Sequence, residues 1–416
     1  MKTKKLIAAA FAMLFAISLA MASNGVLTVD GDKIHVNAKE GGYNYPAKYL
    51  YDVNFPYGQT ATLDDPTLSE VIQFLSTGRQ EGFPARVDID SFINSELGKR
   101  TAELWYPYMV WYTDPMAPGL LDYWLSQGLV KEAYEASEGE SAAYFVYSPV
   151  GAKEGGEKLP LIILNHGGGE RAYQTEVFGF CQIAAEEGII LAASEDFSPA
   201  GNEKMLSAVL RDYPVDTTRI YIVGSSGGGN NAENFAVSHA ETVAACAVMD
   251  QPVSLATRWW KPGPDDLETI KEIGLPLVYV GGTADMYGLY GIHEREFFAT
   301  SEGAEPQFIT GWNTLMDVFG ISGKELTLDK RYELADSPDA TPCEYYTGYP
   351  FDNVADADTT GTSPVYICTM DATDDLELVL TVNRAHMPSG HDAEHVWAFL
   401  SRYARDPETK KSVRID

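Results

Sequence analysis

The chain has 416 residues, with 60 acidic against 30 basic side chains and a formal net charge of -30 at pH 7. Negative charge on that scale repels phosphate backbones and anionic bilayers, which argues against nucleic acid and membrane surfaces as partners. Charge and length bound the class of protein, one large core with a smaller attachment, without identifying a substrate.

Met1-Lys2-Thr3-Lys4-Lys5 is basic, Leu6 to Leu19 is apolar, and Ala20-Met21-Ala22 supplies small residues. Residues 1–22 therefore read as a secretory signal peptide, too short and wrongly flanked for a persistent membrane span. The expectation is a secreted or periplasmic protein starting near Ser23. No cysteine follows closely, which argues against a lipid-modified N-terminus.

Residues 23–139 are expected to be an N-terminal attachment packed on the core. Leu27 to Val36 suits a short hairpin around Asp30-Gly31-Asp32, while Thr67 to Leu75 and Leu120 to Ala136 favour helices. Trp105, Tyr106, Tyr108, Trp111 and Tyr112 form an aromatic cluster. Aromatics can line a sugar or aryl site, but packing between the attachment and the core is the favoured reading.

From about Ser141 the order becomes regular. Ala143 to Tyr147, Leu161 to Leu164, Ile189 to Ala193, Ile220 to Val223, Val243 to Met249, Leu277 to Val280 and Leu376 to Val382 read as strands. Helical stretches at Glu176 to Glu187, Asn230 to His239 and Ala393 to Tyr403 lie among or after them. The alternation predicts an α/β class, a mostly parallel sheet with helices on both faces, over residues 140–408, followed by a tail at 409–416. The four cysteines are Cys181, Cys246, Cys343 and Cys368. Export permits a Cys343 to Cys368 disulfide among the possible pairings, and no pair has close metal-ligand spacing.

The chemistry is signalled by Gly224-Ser225-Ser226-Gly227-Gly228, placed between the apolar run Ile220 to Val223 and a helical segment. A strand that turns sharply into a helix lifts the central Ser226 clear of the backbone, and glycines two residues away on either side remove the Cβ atoms that would clash. Upstream, Leu159 to Asn165 leads into His166-Gly167-Gly168-Gly169. Pro160 fits only the entry of that strand. Such a glycine loop can aim a backbone N–H at a developing oxyanion, from Gly167 or Gly168, with Gly227 as the second donor; His166 is read as ordering the loop.

A serine nucleophile needs a histidine base and an acid, both expected beyond the C-terminal ends of strands. Asp285, after Leu277 to Gly282, is the leading acid, with Asp250 after Val243 to Met249 as its rival. His386, after Leu376 to Val382, is the leading base, ahead of His391 and of His395 inside the following helix. The order Ser226, Asp285, His386 is that of α/β-hydrolases. Trp259 and Trp260 either line an aryl or sugar subsite or pack under a loop.

Segment by segment, residues 141 to 406 resemble the α/β-hydrolase family: Leu161 to Gly169 its oxyanion strand and loop, Gly224 to Gly228 its nucleophile elbow, Gly282-Thr283-Ala284-Asp285 its acid loop, and His386-Met387-Pro388 with Trp397 to Leu400 its histidine loop and closing helix. The branch looks like the secreted esterases related to feruloyl esterases and polyhydroxybutyrate depolymerases. The resemblance implies hydrolysis of carboxylic esters through an acyl-enzyme, with no metal or organic cofactor, on plant cell-wall or other polymeric esters or on smaller acyl esters. An exported peptidase of the same fold and a non-catalytic glycan-binding protein are the competing readings. The long interval from Asp285 to His386 departs from the minimal fold and predicts an insertion at about 300–363, with Trp312 to Gly320 and Tyr345 to Ser363 over the cleft.

Overall fold

A computed structural model describes residues 27–30, 33–36, 128–137, 141–168, 172–251, 262–283, 304–358, 365–382 and 390–415, with a few isolated residues between them. The signal segment, Thr67 to Leu75 and the aromatic cluster at 104–112 lie outside the described residues. At the N-terminus β1 (Leu27–Asp30) and β2 (Lys33–Val36) pair antiparallel with Asp30 opposite Lys33, the hairpin expected around Gly31-Asp32.

The main body is a ten-stranded sheet in the order β10-β11-β12-β9-β8-β7-β5-β6-β4-β3. Its strands are β3 (Leu129–Tyr134), β4 (Tyr144–Pro149), β5 (Leu159–Asn165), β6 (Ile190–Ser194), β7 (Val215–Ser225), β8 (Ala245–Met249), β9 (Leu277–Gly282), β10 (Asn353–Asp358), β11 (Val365–Thr369) and β12 (Leu376–Thr381). The centre, from β6 through β5, β7, β8 and β9 to β12, is parallel. Antiparallel strands close both sides, β4 and β3 on one, β11 and β10 on the other. Continuous apolar runs such as Leu161 to Leu164 and Ile220 to Val223 become central strands because both of their faces are covered. Pro160, which lacks a ladder donor, coincides with a register shift between Leu159 and Leu161 at the strand's entry.

Helices form a layer on each face. On one, α2 (Phe180–Glu187) and α9 (Gly390–Leu400) bury Phe180, Ile183, Val396 and Phe399 against Leu164, Val223 and Val280. On the other lie α3 (Pro199–Asp212), α4 (Gly227–Ser238), α5 (Pro264–Ile273) and α6 (Ala304–Val318), with Met205, Phe235, Ile270 and Trp312 in the second apolar layer. A short α1 (Ala152–Gly155) joins β4 to β5. This strand order, with its parallel centre and two-sided helical cover, is the α/β-hydrolase architecture.

Three local expectations are corrected. Leu120 to Ala136 does not form a helix throughout: Leu129–Tyr134 is strand β3, paired along its length with β4. Its alternation is masked because one inward position is Lys131, whose Nζ lies 2.5 Å from Glu176 Oε1 with both side chains fully buried. The hydroxyl of Tyr147 on β4 donates to the same carboxylate. The helix expected from Glu176 begins as a 3-10 turn over Ala172–Phe178, breaks at Gly179 (φ 91°), and resumes as α2. The last helix ends at Leu400; Tyr403 opens β13 (Tyr403–Arg405), which pairs with β14 (Ser412–Arg414) in the segment expected to be a tail. Arg405 holds that hairpin to the sheet by donating to the carbonyls of Val243 and Gly274, each at 2.7 Å.

The segment between β9 and β12 also adds to the sheet and its helical layer. Trp312 is buried on α6, stacks on Tyr349 at 4.5 Å and donates to the Lys324 carbonyl at 2.7 Å. Arg331 on α7 (Leu328–Ala335) lies against the rings of Phe308 and Tyr349 and donates to the carbonyl of Thr347 at the end of α8 (Pro342–Thr347). Trp312 to Val318 and Tyr349 to Phe351 thus contribute to the main core, and β10 is the outermost strand of the sheet.

All four cysteines are buried free thiols, Cys343 beside Thr347 with Sγ to Oγ1 at 3.6 Å and Cys368 hydrogen-bonded to Cys343. Burial pushes the thiols of Cys181, Cys246 and Cys368 well above their ordinary range. Native protein is therefore expected to resist iodoacetamide, and protein unfolded without reductant to take up four alkyl groups; intact mass reads both states. Removing one partner of the buried pair, as in Lys131→Met, leaves the Glu176 carboxylate uncompensated and is expected to destabilise the fold by about 3–5 kcal/mol in urea titration.

Candidate active site

The parallel strands β5 and β7 are neighbours, yet the chain leaves them toward opposite faces, α2 following β5 on one side and α4 following β7 on the other. Divergence of that kind opens a crevice beyond the C-terminal ends of the two strands. The two motifs that carried chemical meaning in the sequence, His166-Gly167-Gly168 and Gly224 to Gly228, occupy the two sides of this crevice. Asn165 and Gly224 are register partners at the strand ends, so the loops start side by side.

Ser226 links β7 directly to α4 at φ 55° and ψ -124°, a conformation strained for any residue with a Cβ. It is half-buried, its N–H donates to the Met249 carbonyl at 2.9 Å, and its own carbonyl begins α4 by accepting from Gly229. The turn is tight enough that a Cβ on Gly224 would run into the carbonyl of Gly228, and a Cβ on Gly228 into the carbonyls of Asn165 and His166. Both glycines are therefore required by close backbone approach. Gly227 opens α4, and a Cβ there would come within 3.6 Å of the amide nitrogen of Gly168. The amide at the start of the helix and the glycine loop thus adjoin each other, and the first N–H groups of any helix have no intrahelical acceptor.

His166 is buried, with Nδ1 2.9 Å from the Gly167 carbonyl and its ring edge-on to Phe197 at 4.4 Å. A carbonyl only accepts, so Nδ1 carries the proton and the ring braces the loop, the role read from its position. Gly167 is buried and Gly168 exposed. Behind the loop, the Ala172 amide donates to Glu195 Oε1 at 3.3 Å, and Glu195 directly follows β6. Glu195 and Phe197 were not singled out in the sequence, although the run Glu195-Asp196-Phe197 after a buried strand is the signal that would have found them.

Strands β8, β9 and β12 end on the same side of the sheet as β7. Asp250 directly follows β8; it is fully buried at φ 53°, its N–H donates to the Val280 carbonyl at 2.9 Å, and its Oδ2 accepts from Ser225 Oγ at 3.3 Å. Asp285 and His386 lie outside the described residues, as do Gly169, Trp259 and Trp260. The ends of β9 at Gly282 and β12 at Thr381 are register partners and precede Asp285 and His386 by three and five residues. His391 falls in the first turn of α9, and His395 sits half-buried farther along the same helix. Among the described residues no cluster of potential metal ligands is present.

Strain at the elbow generates a stability expectation. Ser226→Gly removes the Cβ from an unfavourable φ and is expected to stabilise the fold by roughly 1 kcal/mol, read from urea unfolding. Gly228→Ala pushes a Cβ into two carbonyls and is expected to destabilise it by about 1–3 kcal/mol.

No protein-family profile matches the chain, and no curated protein is significantly similar to it. Solved structures match the chain at low identity. An acetyl xylan esterase from Aspergillus awamori is 13% identical, with a TM-score of 0.41 over 65% of this chain and 99% of that one. An S-formylglutathione hydrolase from Agrobacterium tumefaciens is 14% identical, with a TM-score of 0.40 over 66% and 96%. FphF, a fluorophosphonate-binding serine hydrolase of Staphylococcus aureus, is 13% identical, with a TM-score of 0.32 over 46% and 98%. The architecture of this chain stands on its own strand order and polarity: it has the α/β-hydrolase fold.

Proposed function

We propose that the protein is an exported serine hydrolase of carboxylic esters, acting through Ser226, His386 and Asp285. The observation that carries this reading is the strained Ser226 at the strand-to-helix elbow, with a glycine loop against the amide end of α4. Strain of this kind at a nucleophile's position holds a hydroxyl out for attack, and adjoining backbone amides are suited to receive negative charge.

Chain geometry supports the remaining roles. Adjacent strands lie about 4.8 Å apart, so β9 and β12 end roughly 10 Å and 15 Å across the sheet from β7. At about 3.3 Å per extended residue, the three residues to Asp285 and the five to His386 are long enough to cover those distances. In the proposed reaction His386 takes the proton of Ser226 as its Oγ attacks the ester carbonyl. The amides of Gly227 and of Gly167 or Gly168 receive the oxyanion, and Asp285 orients the imidazole. His386 then protonates the leaving alcohol and activates water for deacylation. The substrates put first are esters on plant cell-wall or other polymers, on the strength of the segment-level sequence resemblance, with Trp259 and Trp260 as candidate contacts. Export rests on the N-terminal segment.

The test is intact-mass labelling by a fluorophosphonate, followed by p-nitrophenyl, acetyl-sugar and feruloyl ester panels. Wild type is expected to gain one adduct and Ser226→Ala none. Turnover should fall roughly 10^4-fold or more in Ser226→Ala and by about 10^4-fold in Asp285→Asn. A folded wild type that takes no label and turns over no ester overturns the reading in favour of a glycan-binding protein; cleavage of peptide substrates in preference to esters replaces it with a peptidase.

A further inference from the structure

Among the described residues only three non-glycine residues have positive φ: Ser226, Asp250 and Lys410. Lys410 sits in the turn of the C-terminal hairpin, whereas the other two are joined through Ser225, the neighbour of one and the hydrogen-bond donor to the other. We propose that Asp250 is a positioning residue whose buried carboxylate, acting through the hydroxyl of Ser225, holds the nucleophile elbow in the conformation that presents Ser226. The proposal rests on the esterase reading above and assigns Asp250 a role other than the rival acid.

A serine at φ 55° returns to a relaxed conformation unless its surroundings over-determine it. Several restraints on this elbow come from one place, the end of β8. Ser225 is the register partner of Met249, the Met249 carbonyl takes the N–H of Ser226 at 2.9 Å, and a Cβ on Gly229 would already be 3.0 Å from that carbonyl and 3.2 Å from Cγ of Gln251. These backbone contacts hold the peptide between Ser225 and Ser226 by its N–H and fix the height of the elbow. The hydrogen bond from Ser225 Oγ to Asp250 Oδ2 at 3.3 Å adds a side-chain restraint at the residue immediately before the nucleophile.

Asp250 is an expensive choice for a structural filler. It is fully buried, and its backbone lies in the left-handed region where glycine or asparagine would fit with less strain. Its N–H is tied to the Val280 carbonyl at 2.9 Å, which fixes the backbone from the next strand and turns the carboxylate toward Ser225. At 3.3 Å the contact with the Ser225 hydroxyl is a long one, and what it supplies is direction more than strength. A strained, buried carboxylate facing the strained elbow is accounted for if the two strains support each other.

The test uses the full chain and measures the rate of fluorophosphonate acylation, separated into the inactivation rate constant and the inhibitor affinity, for wild type, Ser225→Ala, Ser225→Thr, Asp250→Asn and the Ser225→Ala/Asp250→Asn double variant. Misplacing a nucleophile slightly lowers the chemical step and leaves reagent affinity alone. Ser225→Ala and Asp250→Asn are each expected to lower the rate constant about tenfold at unchanged affinity, with the double variant no slower than either single one. Ser225→Thr, which keeps a hydroxyl, is expected to restore the rate, and the pH midpoint of labelling to stay at the wild-type value. A purely structural role would lower the unfolding midpoint while folded protein still acylates at the wild-type rate, and that result overturns the proposal.

Losses that multiply in the double variant also overturn it. So does a loss of several orders of magnitude in Asp250→Asn alone with a displaced pH midpoint, since Asp250 would then act on the base. If Asp250→Asn does not fold, the comparison of Ser225→Ala with Ser225→Thr decides. A folded wild type that takes no label defeats the esterase reading itself, whereas a labelled wild type with unaffected Ser225→Ala defeats only the role given to Asp250.

Discussion

The pairing of β5 with β7 is the constraint on which the rest of the molecule depends. Two parallel strands in register bring Asn165 opposite Gly224, and their following helices then leave on opposite faces. A parallel sheet forces each connection to return over a face, so the point where connections change face is the one place where two loops converge with no helix between them. The glycine loop and the nucleophile elbow converge because of that topology. Neither loop contains enough apolar surface to find the other unaided.

Such a site can be strained because the sheet beneath it is not. Leu161 to Leu164, Ile220 to Val223 and Ala245 to Met249 are fully buried between the two helical layers. Each large apolar side chain taken out of water contributes on the order of 1.5–3 kcal/mol, far more than the roughly 1–3 kcal/mol of a single strained residue such as Ser226. The elbow is thus held by strands that have no low-energy alternative, and the glycines around it record where backbone meets backbone. Gly224 and Gly228 are needed for proximity, because the atoms a Cβ would strike are carbonyl oxygens that cannot move aside.

Several buried polar groups fix the periphery in a comparable way. Lys131 and Tyr147 converge on Glu176, tying the 3-10 turn behind the glycine loop to the antiparallel edge of the sheet. Tyr279 on β9 donates to Glu233, buried on the helix that follows the nucleophile. Arg405 satisfies carbonyls at the opposite ends of the strands. Pairs of this sort add little net stability over apolar packing, and their effect is directional: they admit one register of edge strand, turn or hairpin and penalise the others through an uncompensated charge.

The amino-acid sequence by itself determined the central strands, the helices α4 and α9 in outline, the hairpin at Asp30-Gly31-Asp32 and the turn at Ser226. Each of these depends on a local pattern: an apolar run, a helical period, or glycines at fixed spacing around a serine. Only the tertiary structure decided that Leu129–Tyr134 is a strand, because Lys131 occupies an inward position that is tolerable only when Glu176, far along the chain, arrives to pair with it. It likewise decided that Trp312 and Phe351, read as parts of an insertion, complete the core, and that Asp250 faces Ser225. Strand neighbours and buried charge partners are contacts between distant parts of the chain, and a residue's local pattern carries no information about which distant group will meet it.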